Sequence, residues 1–176
     1  MMERVEIEGI IFNLMDYSPV IILKGEKGKV LPIVVGIFEA QAILFALEGA
    51  SFPRPLTHDL MKNVIQELGW NLVRIEIYTL QKNTYYARLI LKKDEVIKEI
   101  DCRPSDGIAL ALRFNSPVFA DASLLSDIEI VKAYEGKKFF RANKFDKPIT
   151  KKEAEEFRKF IENISAKEFW EKLKKE

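Results

Sequence analysis

The sequence contains one cysteine and one histidine, Cys102 and His58, among 176 residues. A lone cysteine excludes an intrachain disulfide, and one Cys with one His falls short of the closed ligand set of a structural zinc site. The chain also lacks a glycine-rich phosphate-binding loop and a Gly-x-Ser-x-Gly nucleophile turn. Any hydrolytic chemistry therefore has to rest on carboxylates, arginines and His58.

Long apolar runs and an excess of one charge are also missing. No stretch approaches the roughly 20 apolar residues of a membrane helix. The most apolar stretch, residues 33–47, is interrupted by Gly36, Glu39 and Gln41. The N-terminus lacks the basic-then-apolar layout of a signal peptide. The net charge of +1 supplies no whole-molecule attraction for nucleic acid or anionic lipid. We therefore expect a cytoplasmic protein that does not associate with membranes.

The remaining composition, 48% apolar and 31% charged, is that of an ordinary globular protein. Lys and Glu dominate the charged residues, a bias typical of thermophile proteins. The predicted elements, in chain order, are three strands within 5–35, helices from Ile37 and from Thr57, three strands within 73–101, a helix from Pro104 and a strand at 118–120. This βββ-αα-βββ-α-β order predicts an α+β fold, with mixed and antiparallel sheets packed against buried helices.

Two further features concern organisation beyond one domain. Residues 1–135 are predicted to form the domain, and 145–176 an amphipathic helical tail in which Thr150 caps the first helix. The helix at Ile37–Glu48 has no broad polar stripe, because Glu39 and Glu48 fall on opposite sides of its axis. Such a helix is buried on more than one side, which favours a homo-oligomer.

Residues Arg54–Asp59 open the second predicted helix and carry polar side chains suited to chemistry. The exposed amides of a helix start attract anions, and Arg54 adds a planar fork that matches phosphate. His58 is a candidate general base, with Asp59 as a carboxylate beside it. The structural alternative is that Thr57 caps the helix while Asp59 interacts favourably with the helix dipole.

Residues Asp101–Asp106 bring the same ingredients to the start of the third helix. Asp101 and Asp106 are candidate ligands for a divalent cation, and Arg103 is a candidate phosphate contact. The structural alternative is that Asp106 satisfies amides of the first helical turn while Arg103 pairs with Asp101. A Cys102–His58 nucleophile pair and a stacking surface formed by Tyr78, Tyr85 and Tyr86 are weaker alternatives, since such residues usually serve packing.

Together these segments resemble the bifunctional nuclease family. The resemblance covers roughly residues 5–131 and rests on Leu-Pro-Ile-Val-Val-Gly at 31–36, Arg-Pro-Leu-Thr-His-Asp at 54–59 and Asp-Cys-Arg-Pro-Ser-Asp at 101–106. It implies an enzyme that cuts both DNA and RNA. Gly107 stands where alanine is common in the family, which is a small departure.

The residue types suggest how such an enzyme would work. A divalent ion, Mg²⁺ or Mn²⁺, is expected on carboxylates drawn from Glu39, Asp59, Asp101 and Asp106. The arginines Arg54 and Arg103 would bind the substrate and stabilise the developing charge, and His58 would transfer a proton. The rival hypothesis is a non-enzymatic ligand-binding or oligomeric scaffold, in which both segments only shape helix entries. The enzymatic and the non-enzymatic hypotheses differ in whether these side chains converge in an open cleft.

Overall fold

A computed structural model describes residues 1–12, 18–127 and 138–141. The strands are β1 (Met2–Phe12), β2 (Pro19–Gly25), β3 (Val30–Val34), β4 (Asn71–Gln81), β5 (Thr84–Lys93), β6 (Val96–Cys102), β7 (Val118–Asp121) and β8 (Lys138–Arg141), and the helices are α1 (Ile37–Leu47), α2 (Thr57–Glu67) and α3 (Pro104–Phe114). The α+β class and the predicted order of elements are confirmed. The tail predicted at 145–176 lies outside the described residues.

The eight strands in the described residues belong to one mixed sheet. Its order is β3-β2-β1-β7-β4-β5-β6. Strand β7 pairs with the first part of β1, and β8 pairs with the last part of β1 on the same side. Among the described strands, only β4 and β7 pair in parallel. Pro32 lies on β3 at the sheet edge, where its missing N–H costs no ladder bond. Strand β8 follows the predicted domain end at 135, so the sheet includes residues beyond that point.

Strand β1 carries an irregularity in its pairing. Its pairing with β2 shifts register between Ile7 and Gly9. After the shift, Ile10 and Ile11 are both buried although they point to opposite faces. This part of the sheet is therefore covered on both sides, which explains why the apolar alternation is lost there.

Helices α1 and α3 form the layer that covers one face of the sheet. Helix α1 buries Ile37, Ala40, Ile43 and Leu44. Helix α3 lies close to the sheet at Gly107, where a Cβ atom would stand 3.1 Å from Ile75 Cγ2. Because α3 begins at Pro104, directly after β6, this close approach fixes its first turn against the sheet.

Helix α2 is attached differently from the two helices that cover the sheet. None of its residues is buried. Its apolar stripe of Leu60, Val64 and Leu68 is 49–62% exposed. The helix begins at Thr57 with Leu56 as its N-cap, so Thr57 is the first helical residue and not the cap. Contacts with polar side chains of α3, described below, hold α2 in place.

The second apolar side of α1, from which a homo-oligomer was predicted, faces a cleft. Phe38 is 63% exposed there, and Phe45 is partly buried. The oligomer stays a prediction. In the part of the chain that the structure describes, no helix has the length and apolar character needed to span a membrane.

A buried carboxylate stabilises the sheet on the face away from the helices. Glu76 is 5% exposed and accepts hydrogen bonds from Arg74 Nε at 2.6 Å and Arg88 Nε at 2.8 Å. Burial would raise the pKa of Glu76, but the two guanidinium groups lower it below its ordinary value. The charged form of Glu76 therefore belongs to the folded state.

Replacing Glu76 with Gln should lower the free energy of unfolding by about 1–3 kcal/mol, because the negative charge is lost and one of the two arginines meets an amide NH2 group in place of its acceptor oxygen. The folded-state pKa lies below the ordinary 4.5, so this contribution is complete above that pH and disappears as pH falls through the folded pKa. Urea titrations at neutral and acidic pH measure both effects. Glu99→Gln, which removes an exposed partner of Arg88, is the matched control and should cost much less. Equal losses from both variants would contradict the prediction.

Candidate active site

The two polar segments predicted to carry chemistry meet where α2 and α3 begin. His58, in the first turn of α2, places its Nε2 atom 3.2 Å from Oδ1 of Asp106 in the first turn of α3. The His58 side chain is 12% exposed, and Asp106 is about one quarter exposed. The pair is thus mostly shielded from water while still reachable.

Arg103 joins Asp106 to a third element. Its Nε donates to Asp106 Oδ2 at 2.6 Å and its Nη2 to Oδ1 at 3.1 Å, a two-pronged contact. Its Nη1 donates to Glu39 Oε1 on α1 at 2.9 Å. The Arg103 side chain remains 65% exposed. One guanidinium group therefore bridges two carboxylates while presenting much of its surface to solvent.

These contacts settle the charge of Asp106. Burial alone would raise the pKa of this carboxyl group, but hydrogen bonds from Arg103 and His58 lower it below its ordinary value. Asp106 is therefore an ionised acceptor, suited to orienting an imidazole and to stabilising its protonated form. It is poorly suited to donating a proton.

Glu39, His58, Arg103 and Asp106 line an open cleft of about 680 Å³ between α1, α2 and the segment that precedes α2. The remaining walls are mostly apolar and are formed by Phe38, Ala42, Phe45, Pro55, Leu56 and Met61. Exposed aromatic and apolar surface beside an arginine is the combination on which a nucleotide base stacks while its phosphate is held.

Asp59 neighbours His58 in sequence but turns away from the cleft. Its Oδ1 accepts from Arg113 Nε at 2.5 Å, and its Oδ2 accepts from the Leu56 backbone N–H at 3.0 Å. Burial would raise the pKa of Asp59, but these hydrogen bonds lower it. The structure thus separates Asp59 from the carboxylates with which it was predicted to share a site. Sequence reasoning missed Arg113, whose only signal is an arginine ending the apolar run of α3.

Asp101 also lies away from the cleft. It is exposed on β6 and stands opposite Arg88 in the ladder with β5. The next residue, Cys102, faces α3, because its Sγ would lie 3.2 Å from a Cβ atom on Gly107. Since successive strand residues point to opposite faces, Asp101 is on the face without helices. The structure does not bring it to Asp106.

Arg54 and Cys102 complete the set of predicted residues. Arg54 is exposed in the segment before α2 and directly precedes Pro55 and Leu56, which line the cleft. Burial, followed by the nearby charges of Asp106 and Asp101, raises the pKa of Cys102 to about 12. A thiol that stays protonated is a poor nucleophile, which argues against a Cys102–His58 pair.

Of the tyrosines predicted as an alternative stacking surface, Tyr85 packs against the hydrophobic core, and Tyr78 and Tyr86 are engaged in cross-strand packing. The rings of Tyr78 and Tyr86 lie 6.5 Å apart, and the Arg88 guanidinium stands 5.1 Å from the Tyr78 ring centre. Arg88 is in turn bonded to Glu76 and Glu99. This surface carries paired charges, and it lies on the opposite face of the sheet from the helices.

The four carboxylates predicted to bind a divalent ion are not assembled in one place. Glu39 and Asp106 share the cleft, Asp59 pairs with Arg113, and Asp101 lies on the far face of the sheet. Across residues 1–12, 18–127 and 138–141 no group of three or more His, Cys, Asp and Glu side chains forms a metal-binding cluster. An ion at Glu39 and Asp106 would have to compete with Arg103.

A second crevice, of about 880 Å³, opens beside β1 where β7 begins. Its charged lining residues are Arg4, Glu6, Glu8, Lys24 and Glu26, and most of its other lining residues are apolar. It is larger than the cleft but contains none of the predicted site residues. The chemistry-bearing side chains therefore point to the cleft between the helices.

The sequence is similar to known proteins over most of its length. Residues 21–133 match the model of the bifunctional nuclease domain. The chain is 34% identical over 169 residues to an uncharacterised protein of Mycobacterium tuberculosis strain H37Rv, covering 96% of this chain and 98% of that protein. It is 28% identical over 163 residues to bifunctional nuclease 1 of Oryza sativa subsp. indica, covering 84% of this chain and 49% of that protein. It is 30% identical over 115 residues to bifunctional nuclease 2 of Arabidopsis thaliana, covering 60% and 34%. The chain thus spans half or less of these plant proteins.

Proposed function

Because the chain belongs to the bifunctional nuclease domain family, we propose that it hydrolyses phosphodiester bonds of DNA and RNA in the cleft between α1, α2 and α3. The observation that carries this proposal is the contact of His58 with Asp106 beside the exposed guanidinium of Arg103. A base, an orienting carboxylate and a phosphate-binding cation then stand side by side.

In this proposal His58 is the general base. Its Nε2 is engaged by Asp106, so Nδ1 is the ring nitrogen left to take a proton from the attacking water. Asp106 holds the imidazole in place and stabilises the positive charge that it acquires. The cleft is open enough for the water and the phosphodiester to approach together.

Arg103 is the proposed phosphate-binding residue. A guanidinium group matches two phosphate oxygens at once, and it stabilises the negative charge that grows on them in the transition state. Arg103 already has two carboxylate partners, so a bound phosphate would replace part of those contacts. Phe38 and the other apolar walls would pack against the adjoining base.

Arg54 is proposed to contact a phosphate next to the one that is cleaved, since it lies at the cleft rim. Replacing Arg54 with Gln should weaken binding of an oligonucleotide several-fold and reduce the slope of log affinity against log salt concentration by about 1. Fluorescence anisotropy over a salt series measures both quantities. A variant with the wild-type slope would place Arg54 outside the binding surface.

Metal dependence is a separate part of the proposal. Magnesium is often held by one or two carboxylates together with substrate phosphates, and Glu39 and Asp106 are the two that reach the cleft. Such an ion would act as a Lewis acid on the phosphoryl oxygens. Cleavage that persists unchanged in EDTA would show that the reaction needs no such ion. His58 and Arg103 would then perform the chemistry without it.

The experiment that tests the function is a cleavage assay with the purified chain on single- and double-stranded DNA and RNA, with Mg²⁺, Mn²⁺ or EDTA. The rival to the nuclease function is a non-enzymatic ligand-binding protein. One observation favours that rival: His58, Arg103, Asp106 and Glu39 bond to one another, so the cleft has no excess of positive charge. Binding of oligonucleotides or nucleotides without cleavage under all these conditions would support the rival.

A further inference from the structure

Arg113 contacts all three helices that surround the cleft, although it does not line the cleft itself. Its side chain is 8% exposed. Its Nε donates to Asp59 on α2, and its Nη1 donates to the carbonyl oxygens of Ala42 on α1 at 3.1 Å and Ala109 on α3 at 2.9 Å. A single buried guanidinium group therefore links the elements that carry Glu39, His58 and Asp106.

Helix α2 depends on this link more than the other helices do. None of its residues is fully buried, and Ile65 is the α2 side chain that packs partly against the hydrophobic core, so polar contacts carry much of its attachment to α3. Lys62 of α2 adds a hydrogen bond of 2.8 Å to the backbone carbonyl of Arg113, and its ammonium stands 5.7 Å from the ring centre of Phe114. Apart from the His58–Asp106 contact itself, the polar side-chain contacts of α2 with α3 within the described residues thus concentrate on Arg113 and its immediate neighbour.

Asp59 connects the contact with Arg113 to the position of His58. Its Oδ1 binds Arg113, and its Oδ2 accepts from the Leu56 amide that precedes the helix. The same carboxylate therefore fixes both the entry of the chain into α2 and the rotation of α2 against α3. His58 is the adjacent residue, and its direction toward Asp106 follows from that rotation.

We propose that Arg113 and Asp59 form a positioning pair that docks α2 on α3 and so holds His58 against Asp106. Neither residue touches the substrate in this account. The consequence for catalysis rests on the proposed nuclease function, but the positioning itself does not. Disrupting the pair should separate His58 from Asp106 without removing any group from the cleft.

The single histidine makes this testable without an activity assay, because the chain gives one imidazole signal in NMR spectra. In the wild type, Asp106→Asn should shift that signal, since the two side chains are in contact. In an Arg113→Gln background, Asp106→Asn should leave the signal almost unmoved, because the contact is already lost. Asp59→Asn, which keeps an acceptor for the Leu56 amide, should give a smaller loss of the same response.

Arg88→Gln is the matched control, since it removes a guanidinium group from the buried Glu76 on the other face of the sheet. It should destabilise the protein while preserving the full response of the histidine signal to Asp106→Asn. A full response in the folded Arg113→Gln protein would overturn the proposal. If Arg113→Gln does not fold, the same full response in the Asp59→Asn protein would overturn it. An equal loss of response in Arg88→Gln would also overturn it.

Activity provides a second readout once cleavage has been demonstrated. Arg113→Gln should lower kcat by about 10- to 100-fold through misplacement of His58, while KM changes little because Arg103 and Phe38 remain. Arg113→Lys should recover part of the rate. If the wild type shows no cleavage, the NMR comparison still decides whether the pair positions His58, so failure of one proposal is distinguishable from failure of the other.

Discussion

Replacing His58 with Gln should lower the rate of phosphodiester cleavage by about 10²–10⁴-fold, the typical contribution of a positioned general base. Glutamine is similar in length and polar, but it cannot take a proton from water near neutral pH. Because His58 is only partly buried and α2 is held mainly through Arg113, the fold should survive the change. Single-turnover cleavage measures the rate, and circular dichroism checks the fold.

Asn63→Ala is a suitable control for this variant. Asn63 is exposed on α2 and lies well around the helix from His58, so its loss changes the same element without reaching the cleft. We expect cleavage by this control to match that of the wild type. A His58→Gln protein that folds and cleaves at the wild-type rate would show that another group takes the proton.

Replacing Arg103 with Gln should lower kcat/KM by about 10²–10³-fold, the cost of removing one donor to the transition-state charge. Arg103→Lys should recover little, because an ammonium group cannot bind Asp106 in the two-pronged manner and reach Glu39 as well. Steady-state kinetics on a defined oligonucleotide measures both variants. Arg54→Gln, which removes a positive charge at the rim, should weaken binding without a comparable loss of kcat.

Arg103→Gln should also change the pH at which Asp106 loses its charge, in a known direction. Arg103 provides the largest of the hydrogen-bond effects that lower the pKa of Asp106, while burial acts to raise it. Without Arg103 the pKa of Asp106 should rise, so ionised Asp106 is lost at a higher pH than in the wild type. NMR titration of the Asp106 carboxyl carbon in the wild type and in Arg103→Gln measures this change. A pKa of Asp106 that stays in place would mean that Arg103 does not stabilise its ionised form.

Much of the fold could be predicted because local signals agree with the global arrangement. Pro104 suits the first position of a helix, and α3 begins there. Pro32 has no N–H to donate to a second neighbouring strand, and it lies on β3 at the edge of the sheet. Helix α2 is the exception. Its sequence has an apolar stripe, but whether a neighbouring element covers such a stripe depends on tertiary contacts that periodicity does not contain.

The candidate site could be predicted only in part, for a geometric reason. Asp59 is one residue from His58, which turns it about 100° around the helix and toward Arg113. Asp101 is one residue from Cys102, which turns it to the other face of the sheet. Adjacent residues on a helix or a strand thus point in different directions, so proximity in sequence does not place their side chains in one site. The roles of Arg113 and of Glu39 depend on contacts across 54 and 64 residues, which no local pattern reveals.

A cleavage assay that compares the wild type with Asp106→Asn and Asp101→Asn tests the site most directly, because both variants neutralise one aspartate of the same short segment. Asp106 contacts His58 and Arg103 inside the cleft, while Asp101 lies on the opposite face of the sheet. We predict that Asp101→Asn cleaves like the wild type and that Asp106→Asn loses at least about 100-fold in rate. Cleavage by Asp106→Asn at the wild-type rate, or loss of cleavage only in Asp101→Asn, would contradict the assignment of the active site to this cleft.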